Sequence, residues 1–123
     1  MIQITDRVEA DRTILTLSGR FEFQARKPFQ TAIEHAKRSN PRQIILNFSE
    51  VPFINSAGLG LIMVTHNSLL ADNIRLSLEV TEGYVLQVLT LANIGQKIPI
   101  SVKTTKIDAK PSATTPPQVA FTS

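Results

Sequence analysis

The apolar residues among the first twenty positions of the chain predict two β-strands, the first from a rough alternation with polar residues. Ile2, Ile4 and Val8 mark a first strand. Residues 12–18, rich in β-branched and apolar side chains, form a second. Only a short turn at 9–11 separates the two. Strands this close in sequence predict an antiparallel hairpin.

From Pro28 onward, helical and extended patterns alternate along the chain. Pro28 suits the first position of a helix, and Phe29, Ile33 and Ala36 follow at helical spacing. Residues 39–41 stop this helix. The other predicted elements are a central strand at 44–48 buried on both faces, a helix from 57 to about 70, a strand at 74–80, a helix at 82–92 and an edge strand at 98–102.

The two later helices each have an apolar stripe that we expect to face the core. The stripe of the helix that begins at residue 57 consists of Leu59, Ile62, Met63 and Leu70. The stripe of the helix at 82–92 consists of Val85, Val88, Leu89 and Ala92.

The predicted order of elements is β-β-α-β-α-β-α-β. Each strand–helix–strand unit requires parallel pairing of its two strands, whereas the opening hairpin is antiparallel. The sequence therefore predicts an α/β fold, a mixed β-sheet covered by helices.

Charge and composition divide the chain unequally. The 123 residues carry a net charge of +3, and the segment 103–123 holds three lysines against one aspartate. Thr, Pro, Ser, Ala and Lys dominate that segment, and apolar periodicity stops there. We therefore expect a nearly neutral domain at 1–102 and a flexible low-complexity tail at 103–123.

Composition also excludes several classes of protein. The chain has no cysteine and only two histidines, which argues against disulfides, zinc sites and cysteine nucleophiles, and we expect no cofactor. The opening residues lack the apolar core of a signal peptide, and no apolar run is long enough to span a membrane. The arginines are interspersed with acidic residues, so the sequence does not indicate the basic patch that binds nucleic acid. We expect a cytoplasmic protein.

The segment 47–60 carries the most informative chemistry. A buried strand leads through a short loop to Ser56, which is placed as the N-cap or first residue of a helix. The helix dipole and free backbone N–H groups favour an anion at that position. A phosphate on Ser56 would therefore be compatible with the fold and would change the binding of a partner. The plain alternative is that serine is simply a favoured capping residue.

Two glycines in the first turns of that helix need a reason, because each costs roughly 0.5–1 kcal/mol relative to alanine. Gly58 and Gly60 indicate a close approach of backbone, either by a neighbouring element or by a partner.

This arrangement resembles the STAS domain family, and more narrowly its stand-alone bacterial anti-sigma factor antagonists. The resemblance covers residues 1–102. The family pattern is an apolar run, Asp-Ser, a small residue and Gly-Leu-Gly. Ser56 matches the serine that partner kinases phosphorylate, residues 58–60 match the glycine motif, and residues 51–54 match the apolar run.

The resemblance implies partner switching. The unphosphorylated protein would bind a serine kinase that is also an anti-sigma-like regulator, and phosphorylation of Ser56 would break that complex. A PP2C-like phosphatase would restore it. The protein would be the substrate of this cycle and not an enzyme, and its output would be transcription or another behaviour such as biofilm formation.

One position departs from the family pattern. Asn55 stands where the family has aspartate. Asparagine keeps the size and capping ability of aspartate but not its charge. The change eases a neighbouring phosphoserine and also removes a carboxylate that a kinase could contact.

The docking surface that the resemblance implies combines the loop 51–56 with the exposed side of the second predicted helix. Its expected residues are Pro52, Phe53, Asn55, Ser56, Ala57, Gly58, Leu59, Gly60, Met63, His66 and Asn67.

Two alternatives remain. One is a STAS scaffold that does not cycle phosphate, within a larger signalling or transport complex; Asn55 favours it. The other is a small serine hydrolase, because a strand–turn–serine–helix segment is half of a nucleophile elbow. Ile54 replaces the first glycine of that motif, and only His35 and His66 could act as the base.

Overall fold

The computed structural model describes residues 2–103. Their five strands form one sheet in the order β1-β2-β3-β4-β5. The elements are β1 (Gln3–Glu9), β2 (Arg12–Ser18), α1 (Arg26–Lys37), β3 (Gln43–Glu50), α2 (Ser56–Ala71), β4 (Arg75–Thr81), α3 (Tyr84–Leu91) and β5 (Ile100–Lys103), with short 3₁₀ turns at Phe23–Ala25 and Ile94–Gln96. The predicted α/β class and element order are confirmed. The predicted tail lies, from residue 104 onward, outside the described residues.

Strand pairing follows the prediction. β1 and β2 pair antiparallel, and β2 to β5 pair in parallel through helical crossovers. The register aligns Leu15, Leu46, Leu78 and Ile100 in one row across four strands. Because side chains alternate between the faces of a sheet, such rows give it one continuous apolar face.

All three helices pack on that apolar face and form a single core with it. At its centre the Phe21 ring meets the rings of Phe29 and Phe48 edge-on, with centroids 5.0 and 5.2 Å apart. Edge-to-face pairs contribute about 0.5–1.5 kcal/mol each beyond the area they bury. They connect α1 and β3 to the chain that follows β2.

The opposite face of the sheet is polar and has no helix of residues 2–103 on it. The prediction that the central strand is buried on both faces holds at Ile45 but not along the strand, since Asn47 is half-buried and Ser49 exposed. On this face Glu79 pairs with Lys103 at 3.6 Å. Within the described residues the sheet is therefore covered by helices on one side only.

The first helix begins two residues before its predicted start. α1 starts at Arg26, and Pro28 lies in its first turn instead of at its first position. The first four N–H groups of a helix have no partner within it, so proline is tolerated there.

The end of α2 also differs from the prediction. Leu69 is fully buried and Leu70 is 48% exposed, so Leu69 is the core residue. Leu69 lies seven residues, or two turns, beyond the buried Ile62 and therefore shares its face. Asn73, at φ 61°, donates to the Leu70 carbonyl, and Ile74 donates to the Leu69 carbonyl. These bonds form a Schellman motif, which stops the helix at this point.

The third helix is shorter than predicted. α3 spans Tyr84–Leu91, and Val85 and Leu89 are its buried residues. Ala92 follows the helix and is exposed, because Asn93 takes a left-handed conformation and turns the chain away.

Candidate functional site

The loop that leads to Ser56 is fixed by backbone hydrogen bonds to the chain that follows β2. Gly19 N–H donates to the Glu50 carbonyl at 3.2 Å, and Phe21 N–H donates to the Phe53 carbonyl at 2.9 Å. Phe21 and Ile54 form a parallel bridge, and Ile54 is fully buried. The start of α2 is therefore held at the carboxyl-terminal edge of the sheet.

Asn55 is the N-cap of α2. Its backbone is extended, and its side-chain Oδ1 accepts a hydrogen bond from Gly58 N–H at 3.0 Å. Its carbonyl accepts from Leu59 N–H at 2.9 Å, which is the first helical bond. Asn55 thus performs the capping for which Ser56 was one candidate. Ser56 is the first residue of the helix, and its side chain is not needed to start it.

Ser56 is exposed at the positive end of a helix without charged neighbours in sequence. Residues 51–71 contain no Asp, Glu, Lys or Arg, and the first turn of α2 has no acidic side chain. An added anion at Ser56 therefore meets free N–H groups and the helix dipole, and no carboxylate from its own helix.

The two glycines have different environments. A Cβ on Gly58 would overlap the carbonyl oxygen of Phe21 and approach Cγ1 of Ile54 at 2.9 Å. A Cβ on Gly60 would meet nothing within 4 Å. Gly58 is thus required by packing within the domain. Gly60 is exposed and leaves bare backbone one turn beyond Ser56.

The exposed side of α2 carries short side chains without charge. Gly60 and Val64 follow Ser56 at four-residue intervals and share its face. Val64 is 63% exposed, and Asn67 and Ser68 are exposed beyond it. Val64 was not among the predicted docking residues, although it lies four residues after Gly60 and eight after Ser56.

The predicted docking residues do not all lie on one surface. Pro52, Ser56, Gly60 and Asn67 are exposed; Phe53, Asn55, Ala57, Leu59 and Met63 are half-buried; Gly58 and His66 are buried. Leu59 and Met63 pack against the core. The loop and the first turns of α2 therefore present only part of the expected set.

The position of His66 contradicts its prediction as a docking residue. It is only 8% exposed, so it cannot belong to the outer side of α2. It lies four residues after the buried Ile62 and on the same inward face. Its Nδ1 is buried and has no hydrogen-bond partner within residues 2–103.

A stacked group beside the loop was not predicted. The rings of Phe53 and Tyr84 lie 5.9 Å apart and nearly parallel, and the guanidinium of Arg20 sits 4.0 Å from the Phe53 centroid. Glu22 holds Arg20 at 3.2 Å. These residues come from the segments after β2, β3 and β4. Their convergence could have been predicted, because the carboxyl ends of parallel strands meet at one edge.

Neither histidine is hydrogen-bonded to Ser56 in the described part of the chain. His35 Nε2 instead lies 3.6 Å from Asp6 on β1. Across residues 2–103 the structure holds no group of His, Cys, Asp or Glu side chains suited to bind a metal ion. Over the same range, no helix has the length and apolar character to cross a membrane.

The fold and the site together define a class: a small α/β domain with a mixed sheet, whose exposed serine opens the helix after the central strand. The family model for the STAS domain matches residues 1–107. The chain belongs to the STAS domain family.

Relatives of the chain agree with this assignment. A STAS-domain containing protein of Pseudomonas aeruginosa is 28% identical over 100 residues, which cover 80% of this chain and 98% of the relative. An anti-sigma factor antagonist from Mycobacterium paratuberculosis has a similar structure, with a TM-score of 0.73 at 16% identity over 82% of this chain and 86% of the other.

The anti-sigma factor antagonist SpoIIAA shares the fold as well. Its unphosphorylated form has a TM-score of 0.67 at 23% identity, covering 85% of this chain and 90% of SpoIIAA. Its phosphorylated form has a TM-score of 0.62 at 22% identity, covering 85% and 93%. At these identities the two structures establish a common fold.

Proposed function

We propose that the protein is a phosphorylation-switched binding adaptor of a bacterial partner-switching pathway, an anti-sigma factor antagonist-like regulator whose switch is Ser56. It acts as substrate and binding partner, not as catalyst. The observation that carries the proposal is the exposed serine at the start of α2, on a helix face without charge.

The switch follows from electrostatics at that face. A phosphoserine adds about −1.5 to −2 charges at neutral pH. The helix end stabilises this charge in the free protein, because N–H donors and the dipole already point there. A partner that covers the uncharged face must strip water from the same charge, which costs binding energy. Phosphorylation therefore weakens the complex and leaves the fold intact.

The partners follow from the family. One is a serine kinase that doubles as an anti-sigma-like regulator, and the other is a PP2C-like phosphatase that removes the phosphate. SpoIIAA, an anti-sigma factor antagonist known in a phosphorylated form, supports this assignment. The regulated output is transcription or another behaviour such as biofilm formation, and the protein acts in the cytoplasm.

Phosphorylation of purified protein in an extract of the source cells tests the proposal. Wild type, Ser56→Ala and Ser68→Ala are incubated with ATP, and intact mass reports the added phosphate. Ser68 is the matched control, since it is an exposed serine on the same helix. We expect wild type and Ser68→Ala to gain one phosphate and Ser56→Ala to gain none.

The alternatives predict other results. Phosphate on Ser56→Ala as well as on wild type would place the modification elsewhere and contradict the switch. Absence of phosphate on wild type would favour the non-cycling scaffold. Ester hydrolysis that is lost in Ser56→Ala would favour the serine hydrolase.

A further inference from the structure

We propose that Asn55 determines which kinase phosphorylates Ser56, by presenting a hydrogen-bond donor beside the serine hydroxyl. The kinase supplies the matching acceptor, a carboxylate or carbonyl oxygen. This inference rests on the proposed function, because it concerns the enzyme that modifies the same serine.

The helix cap fixes which half of the Asn55 amide faces outward. A backbone N–H can only donate, so the atom 3.0 Å from Gly58 N is the carbonyl Oδ1 of Asn55. The amino group Nδ2 therefore takes the other branch of the side chain. The hydrogen bond from Gly58 N–H therefore sets the orientation of the Asn55 amide and leaves the Nδ2 group unbonded to the helix.

The Nδ2 group is available to a partner. It has no hydrogen-bond partner within residues 2–103, where Gly58 N–H is the one group bonded to the Asn55 side chain. Asn55 is half-buried, and His66 Nδ1 is the one buried side-chain polar atom without a partner in that range. Solvent therefore reaches Nδ2, which adjoins the exposed Ser56.

The surroundings of Ser56 present donors. The first backbone N–H groups of α2 have no acceptor within the helix. The Arg20 guanidinium stacks on Phe53 in the same loop, and the nearby acid Glu22 is paired with it at 3.2 Å. Since residues 51–71 carry no carboxylate, a complementary kinase surface brings acceptors to this site.

Substitution of Asn55 separates capping from recognition. Asn55→Asp is nearly isosteric and keeps a cap oxygen for Gly58 N–H, but it replaces the outward donor with a charged acceptor. Asn55→Ser also keeps a cap oxygen and removes the outward amino group without adding charge, because its single hydroxyl hydrogen sits on the cap oxygen itself. Gln30→Glu is the control, because it makes the same charge change on the exposed side of α1.

The experiment is a competition in one extract. Isotope-labelled wild type and an unlabelled variant share ATP and an extract of the source cells, and intact mass gives the ratio of their phosphorylation rates. We expect Asn55→Asp to be slower by about tenfold or more, because a hydrogen bond is replaced by repulsion between the new carboxylate and the acceptor oxygen of the kinase. Asn55→Ser should be slowed less, and Gln30→Glu should match wild type.

The outcomes distinguish this inference from the proposed function. Equal or faster phosphorylation of folded Asn55→Asp, with wild type modified at Ser56, overturns the inference and leaves the proposed function standing. Wild type that gains no phosphate at Ser56 overturns both. Thermal unfolding checks each variant. If Asn55→Asp is unfolded, Asn55→Ser decides, and a rate equal to wild type overturns the inference.

Discussion

Gly58 and Gly60 lie two residues apart in α2 but have different surroundings. Gly58 faces the backbone of Phe21, and Gly60 faces solvent. The sequence predicted that both glycines allow a close approach of backbone, because glycine is otherwise unfavourable within a helix. It could not say which glycine faces a neighbouring element and which is available to a partner. That depends on Phe21, a residue far earlier in the chain that the loop's hydrogen bonds bring against the helix.

Alanine at the two positions should have opposite effects on stability. Gly60→Ala should raise the free energy of unfolding by about 0.5–1 kcal/mol, because the added methyl group meets no neighbour and alanine favours the helix. Gly58→Ala should lower it by roughly 1–3 kcal/mol through overlap with the Phe21 carbonyl. Urea denaturation measures both changes.

Gly60→Ala should at the same time weaken binding of the partner, if bare backbone at this position serves close approach. Ala71→Gly at the exposed end of α2 is a useful comparison, because it changes helix propensity away from Ser56. A Gly60→Ala protein that is more stable and binds its partner as tightly as wild type would remove Gly60 from the docking surface.

At the scale of elements, the ends of α1 and α2 are tied together far along α2 from Ser56. Lys37 at the end of α1 lies 2.9 Å from Asp72, which follows α2, and 3.6 Å from Glu34. The hydrogen bond to Asp72 is the main cause that raises the pKa of Lys37 above its ordinary value of 10.5. The ion pair between Lys37 and Asp72 therefore links the end of α1 to the residue that follows α2.

The contribution of this pair to stability should depend on pH. A lysine whose pKa is raised on folding stabilises the protein below its unfolded pKa, and the effect is lost as pH rises through the folded pKa. Asp72→Asn should therefore cost up to about 1 kcal/mol at neutral pH and nothing at a pH well above 10.5.

Urea denaturation of wild type and Asp72→Asn at the two pH values measures this difference. Glu34→Gln is the control, since the longer and more exposed contact with Lys37 should contribute less. A gap between wild type and Asp72→Asn that persists at high pH would mean that the Asp72 side chain stabilises the protein by something other than Lys37.

Element types were predictable because their periods are distinct, whereas helix ends and faces were less so. The alternation at 74–80 appears as β4, and the hairpin appears as β1 and β2. The phase of α2 was harder to predict, because the helix is apolar on most sides and no charge marks its outer face. Leu70 and His66 were therefore assigned to the wrong sides.

On the scale of the whole molecule, charge is distributed unevenly over the described residues. α2 and α3 contain no charged side chain, whereas α1, β1 and the polar face of the sheet carry many. Composition predicted a nearly neutral domain. That the segments carrying Phe53, Tyr84 and Arg20 meet at one edge follows from parallel strands, but the stacking of the three side chains needed the structure.

In a domain with so little net charge, a single phosphate would be a large change. In the proposed switch, phosphate on Ser56 weakens binding of the partner without changing the fold. The direct measurement compares the dissociation constants of phosphorylated and unphosphorylated protein for one partner purified from the source cells. We expect phosphorylation to weaken binding by about tenfold or more, with thermal unfolding essentially unchanged. Equal dissociation constants for the two forms would contradict it.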